Sequence, residues 1–154
     1  MKLKIFVYMI IFCNIILAQN KQNLKFKLGS KNSEIIIIKV SNQESIITLN
    51  GINNFLTGKA SLSSNQIQEL KEFALSLDET KNIELKIVGH TDIRGSESYN
   101  KKLSLERAKV VEKKLKELLK NKKINYIVEG RGKENPISNR HFENRRVEIY
   151  IKTI

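Results

Sequence analysis

Cysteine, histidine and unbroken apolar sequence are all scarce in this 154-residue chain, and each scarcity closes off a class of function. The single cysteine, Cys13, excludes an intramolecular disulfide. Two histidines, His90 and His141, are too few to build a tetrahedral zinc site with Asp92 unless cysteines join them. No Ser-His-Asp set comes with a glycine motif of the oxyanion type, and no two carboxylates fall at hydrolase spacing. Gly130-Arg-Gly132 lacks the next glycine of a dinucleotide loop and reads as a turn. There is no repeat and no low-complexity linker. These absences point to a non-enzymatic chain without cofactor or metal.

The longest apolar run, Ile5 to Leu17, is interrupted by Asn14 and is shorter than the roughly 20 residues a membrane helix needs. Met1-Lys-Leu-Lys4 precedes it and the small Ala18 follows, so residues 1–18 read as a cleaved signal peptide. Phe12 stands before Cys13 where a lipoprotein signal requires a small residue, so Cys13 is expected to leave with the segment. Loss of Lys2 and Lys4 takes the formal charge from +12 to +10. Such a surplus suits a polyanion: nucleic acid, anionic lipid or cell-wall polymer. A chain rich in Lys, Asn and Ile by habit accounts for it equally, and the lysines at 101, 102, 113, 114, 120, 122 and 123 read as a solvated helix face.

Alternation and helical spacing divide the remainder. Residues 19–45 read as an extension. Leu24-Lys-Phe-Lys-Leu28 and Glu34-Ile-Ile-Ile-Ile-Lys-Val40 flank a turn-rich stretch and suggest a β-hairpin. A strand near Ser45–Asn50 follows. Ser63 and Gln66 have capping-box spacing, and Ile67, Leu70, Ala74 and Leu77 mark one face of a helix ending near Leu77. Strands are expected over Ile83–Val88, Ile124–Val128 and Val147–Ile151. Between the first two, Ala108, Val111, Leu115 and Leu118 mark the inner stripe of a second helix. The order β-α-β-α-β-β predicts an α/β sandwich, a mixed sheet with helices on one face.

One connection carries both a carboxylate and a guanidinium. Strand residues end at Gly89-His-Thr-Asp92, and Ser104 is read as the N-cap of the second helix, which puts Arg107 at its third position. Backbone N–H groups and the helix dipole there favour an anion, and Arg107 can clamp the same carboxylate. Asp92 suits an ammonium. Together they suit a zwitterion, although a plain surface ion pair would place the same two residues there.

The ordered set Gly89-His-Thr-Asp92, Gly95-Ser96, Tyr99-Asn100, Leu103-Ser104 and Arg107-Ala108 resembles the signature of the OmpA-like peptidoglycan-binding domain. Gly130-Arg-Gly132 with Pro136 and Asn144-Arg-Arg-Val-Glu-Ile149 resemble the family's later blocks, and residues 47–62 are similar to its first strand and loop. The resemblance covers roughly residues 46–152, so 46–154 is taken as the domain. It implies a module that binds peptidoglycan non-covalently and anchors to the cell wall in the periplasm, beside an outer-membrane or other envelope protein, with no role for nucleic acid. By resemblance Asp92 and Arg107 hold the zwitterionic end of meso-diaminopimelate in the stem peptide. Thr91 and Asn100 match positions lining the same pocket. Arg145, which begins the Arg-Arg pair, is either a ligand contact or a solvated strand-end residue. A polyanion-binding protein and a cell-wall hydrolase are the rival readings. The exported protein is expected to begin at or within a residue or two of Gln19; intact mass decides this, and a retained Met1 or a diacylglyceryl adduct on Cys13 would refute it.

Overall fold

The computed structural model describes residues 24–27, 33–39, 44–51, 55–77 and 82–153; residues 1–18, read from the sequence as a signal peptide, lie outside them. Six strands and three helices are present among these residues: β1 Leu24–Lys27, β2 Ser33–Lys39, β3 Glu44–Gly51, α1 Ser64–Ser76, β4 Ile83–Gly89, α2 Glu97–Leu118, β5 Ile124–Gly130, α3 His141–Asn144 and β6 Val147–Thr153. The strands form one mixed sheet in the order β1-β2-β3-β6-β4-β5. Only β4 and β5 run parallel, joined by the crossover helix α2, while β6 inserts antiparallel between β3 and β4. β1 and β2 pair antiparallel and continue the sheet beyond β3.

Period-two alternation decides what each face of the sheet meets. Ile83, Leu85 and Ile87 of β4, with Val147 and Ile149 of β6, point into the core. There they meet Leu70, Phe73, Ala74 and Leu77 of the α1 side and Ala108, Val111, Leu115 and Leu119 of the α2 side. The helices therefore share one face, as the sandwich pattern predicts. The intervening strand residues are polar: Lys86 pairs with Glu129 at 2.7 Å, and Asn125 donates to Glu84 at 2.7 Å. The capping box of α1 is formed, with Ser63 N donating to the Gln66 amide at 2.8 Å and Gln66 N donating to Ser63 Oγ at 3.3 Å.

The second helix starts well before Ser104. Its N-cap is Ser96, whose hydroxyl accepts from Tyr99 N at 3.2 Å, and Glu97 places an acid in the first turn. Ser104 is instead buried mid-helix, donating to Lys101 O at 2.9 Å and accepting from Gly132 N at 2.8 Å. Apolar periodicity hides the true start because the buried stripe turns polar toward the N-terminus: Asn100, Ser104 and Arg107 continue the spacing of Ala108, Val111 and Leu115. Arg107 thus sits about three turns into the helix, away from its dipole's positive end.

Two glycines let α2 lie against the strand ends. Gly89 and Gly130 are directly paired across β4 and β5. A Cβ on Gly89 would stand 1.9 Å from the Ser104 carbonyl oxygen, and one on Gly130 would stand 2.5 Å from Leu105 N. Backbone cannot retreat from such contacts as a side chain can, so the helix itself would have to lift. Gly89→Ala is expected to destabilise the domain by about 2–3 kcal/mol or more, at the upper end of overpacking costs. Urea denaturation measures this, and Gly130→Ala should behave alike.

Candidate functional site

Lifting or lowering α2 matters because the site hangs between it and the end of β4. Thr91, Asp92, Asn100, Arg107 and Arg145 all line one pocket of about 90 Å³, together with Thr57, Gly58, Arg94, Tyr99 and Leu103. Three separate connections contribute: the segment after β3, the turn from β4 into α2, and the residue that joins α3 to β6.

Arg107 is wholly buried, with 0% exposure. Its Nη1 donates to His90 O at 3.0 Å, its Nη2 to Leu56 O at 3.1 Å and its Nε to Lys59 O at 3.0 Å. The Phe55 ring lies 5.1 Å from its guanidinium carbon. Burial, and then the neighbouring charge of Arg145, bring its pKa down to about 10, against the favourable charge of Asp92. It remains a cation at neutral pH. Of its five N–H donors, three are held by backbone carbonyls and two have no partner among the described residues.

Asp92 is the pocket's carboxylate, 5% exposed, directly past the end of β4. Its Oδ1 accepts from Arg94 N and Arg94 Nε, each at 3.1 Å. Its Oδ2 accepts from Arg94 Nη2 at 2.7 Å and Arg145 Nη1 at 3.0 Å. Burial alone would raise its pKa, but these bonds outweigh burial and hold it at about 2. Arg145 also donates through Nε to Phe55 O at 2.9 Å, and its side chain is 16% exposed, so it is not a solvated strand-end residue. Asn100 is buried and donates to Arg94 O at 2.9 Å, fixing the turn that carries Asp92. Thr91 is held by its backbone N–H on Gly132 O at 2.8 Å, while its buried hydroxyl has no partner among the described residues.

Residues 54–149 are matched by a protein-family model described as the OmpA family. The chain belongs to the OmpA family. Among curated proteins it is 35% identical over 91 residues to YfiB of Escherichia coli (strain K12), a protein named as a lipoprotein; the match takes in 56% of this chain and 57% of that one. The chain thus spans little more than half the length of that relative. The periplasmic domain of Helicobacter pylori MotB superposes with a TM-score of 0.64 at 21% identity, covering 86% of this chain and 88% of that one. The cell wall anchor of the T6SS from Pseudomonas aeruginosa gives 0.62 at 25%, covering 78% and 88%. The peptidoglycan-associated lipoprotein of Burkholderia pseudomallei gives 0.56 at 24%, covering 64% and 87%.

Within this OmpA-family domain the five residues singled out from sequence meet in one place, and Arg94 and Thr57 join them unforeseen. Arg94 lies only two residues from Asp92, in a turn that no period marks; the one available cue was that an aspartate often accepts from the backbone two residues on. Arg107 was expected to stand free at a helix start, and instead it binds three carbonyls. Its loss is therefore expected to cost stability as well as any binding. Arg107→Ala would leave those carbonyls and a cavity behind, and should lower the unfolding free energy by about 3–5 kcal/mol in urea titrations. A variant as stable as the parent would show that the loop does not depend on it.

Proposed function

We propose that this domain binds peptidoglycan non-covalently by gripping the zwitterionic end of meso-diaminopimelate in the stem peptide, and so anchors to the cell wall in the periplasm. The observation that carries this reading is the meeting of one carboxylate, Asp92, with Arg107 and Arg145 in a single small pocket also lined by Thr91 and Asn100. Asp92 receives the ligand's ammonium. Arg145 and the two remaining N–H groups of Arg107 receive its carboxylate, a charge-assisted pairing at a largely desolvated point. Thr91 supplies a hydroxyl that has no partner among the described residues. Asn100 holds the turn in register. The names of the relatives support this assignment: one is a cell wall anchor and another is peptidoglycan-associated. Envelope association and a non-catalytic role follow from the same reading.

A diffuse polyanion interaction is disfavoured by the local pairing of the helix's charges. Lys114 bonds Glu117 at 2.9 Å, Lys116 bonds Glu112 at 2.7 Å, and Lys101 bonds Glu134 at 3.4 Å. Co-sedimentation with diaminopimelate-containing sacculi at two salt concentrations separates the readings. Asp92→Ala should lose about thirty-fold to several-thousand-fold in affinity, since removing one partner of a desolvated charge pair costs about 2–5 kcal/mol. Lys113→Ala with Lys114→Ala should retain binding, and no soluble fragments should be released. Normal sedimentation of the Asp92 variant alongside failure of the lysine pair would defeat the pocket reading.

A further inference from the structure

Asp92 already has a cation. Arg94 grips both of its oxygens, Nε on Oδ1 at 3.1 Å and Nη2 on Oδ2 at 2.7 Å, and the same Nη2 reaches Thr57 Oγ1 at 3.2 Å. The two cations on this carboxylate differ in how firmly they are held. Arg145 is 16% exposed and tied by its Nε to the Phe55 carbonyl, whereas the Arg94 side chain is 51% exposed and has only Asp92 and Thr57 as polar partners among the described residues. An ammonium approaching Asp92 from solvent therefore meets Arg94 first, and Arg94 is the group that can yield.

We infer that Arg94 is a specificity-determining residue: a guanidinium resident on Asp92 that an incoming ammonium must displace, so that a zwitterion is admitted and a simple amine disfavoured. The inference rests on the proposed binding of diaminopimelate at this pocket. An amine with no acid beside it takes Asp92 from Arg94 and returns nothing, and one ion pair simply replaces another. A zwitterion brings a carboxylate with it, and the released guanidinium can bond that carboxylate at the mouth of the pocket in the fork geometry it previously used on Asp92. The exchange then leaves neither Asp92 nor Arg94 without an opposite charge. The charge count agrees: three arginines, Arg94, Arg107 and Arg145, face one acid, so the pocket has a surplus that only a ligand with its own carboxylate can use. By this argument Arg94 discriminates stem peptides carrying diaminopimelate, whose ammonium has a carboxylate on the same carbon, from stem peptides carrying lysine, whose side-chain amine has none.

The test compares soluble muropeptides with diaminopimelate and with lysine at the third stem position, titrated calorimetrically into the whole exported protein and into Arg94→Ala, Arg94→Gln and Asp92→Ala. An exposed ion pair contributes up to about fivefold in affinity. Removing Arg94 should raise affinity for the lysine muropeptide by about that factor while leaving or weakening affinity for the diaminopimelate one. The ratio between them should narrow about fivefold or more. Both Arg94 variants should melt within a few degrees of the parent, because the side chain is half exposed. In the parent, the Arg94 Nε resonance should shift on adding the diaminopimelate muropeptide. An unchanged or widened ratio in both Arg94 variants, with Asp92→Ala still abolishing binding, overturns the role of Arg94 and leaves the binding site standing. Parent-like binding by Asp92→Ala overturns both.

Discussion

A guanidinium shut off from water, that of Arg107, ties three parts of the chain that share no secondary structure. Through Leu56 O and Lys59 O it holds the segment after β3; through His90 O it holds the end of β4; and its own backbone belongs to α2. A buried cation is costly unless its donors are satisfied, and here carbonyl oxygens with the Phe55 face do most of that work. The same bonds place the pocket floor. The site is therefore not an attachment to a finished scaffold, because a side chain that lines the pocket is also what closes the loop around it.

His90 carries this constraint through to the other side of the sheet. Its carbonyl serves Arg107, its amide donates to Arg146 O at 2.9 Å, and its ring Nε2 stands 3.3 Å from Glu148 Oε2. Glu148 also accepts from Arg146 Nε at 2.9 Å and from Tyr150 at 2.7 Å. Burial would raise its pKa, but His90, Arg146 and Tyr150 together hold it at about 2. Arg146 reaches on to Asn135 O at 3.2 Å, and Asn144 binds Ile137 and Ser138, so the long connection before β6 is pinned where Arg145 must emerge. Adjacent arginines in one Arg-Arg pair thus serve opposite faces. Arg145 enters the pocket and Arg146 supports the connection behind it, divided by a tight turn in which Arg146 N donates to Asn144 O at 3.0 Å.

Electrostatically, the pocket is more basic than its two best-marked residues suggest. With Arg94 and Arg145 both on Asp92, the acid is neutralised within the protein, and what a solvent-borne ligand meets is net positive. This positive surplus is local to the pocket, apart from the formal charge of +12 spread over the chain. The helix lysines are partly answered by glutamates a turn away, while the pocket's surplus is confined by low-dielectric walls.

Patterning alone was sufficient for the architecture. Alternation at Ile83, Leu85 and Ile87 and helical spacing at Ala108, Val111 and Leu115 survive into the structure because burial of apolar area is what those periods record. The capping box at Ser63 was equally plain, since both partners lie within one turn. The ordered motif of the OmpA family groups Thr91, Asp92, Asn100, Arg107 and Arg145, which line one pocket. What sequence could not supply was anything that depends on a polar side chain being buried. Asn100, Ser104 and Arg107 look like solvent-facing residues, so the helix seemed to begin at Ser104 when it begins after Ser96. Likewise, no local rule links Arg107 to Leu56 and Lys59, about fifty positions earlier. Those are contacts between backbone carbonyls and a guanidinium group brought together by the folded sheet and helix. Only tertiary structure decided them, because hydrogen-bond partners distant in sequence leave no periodicity in it.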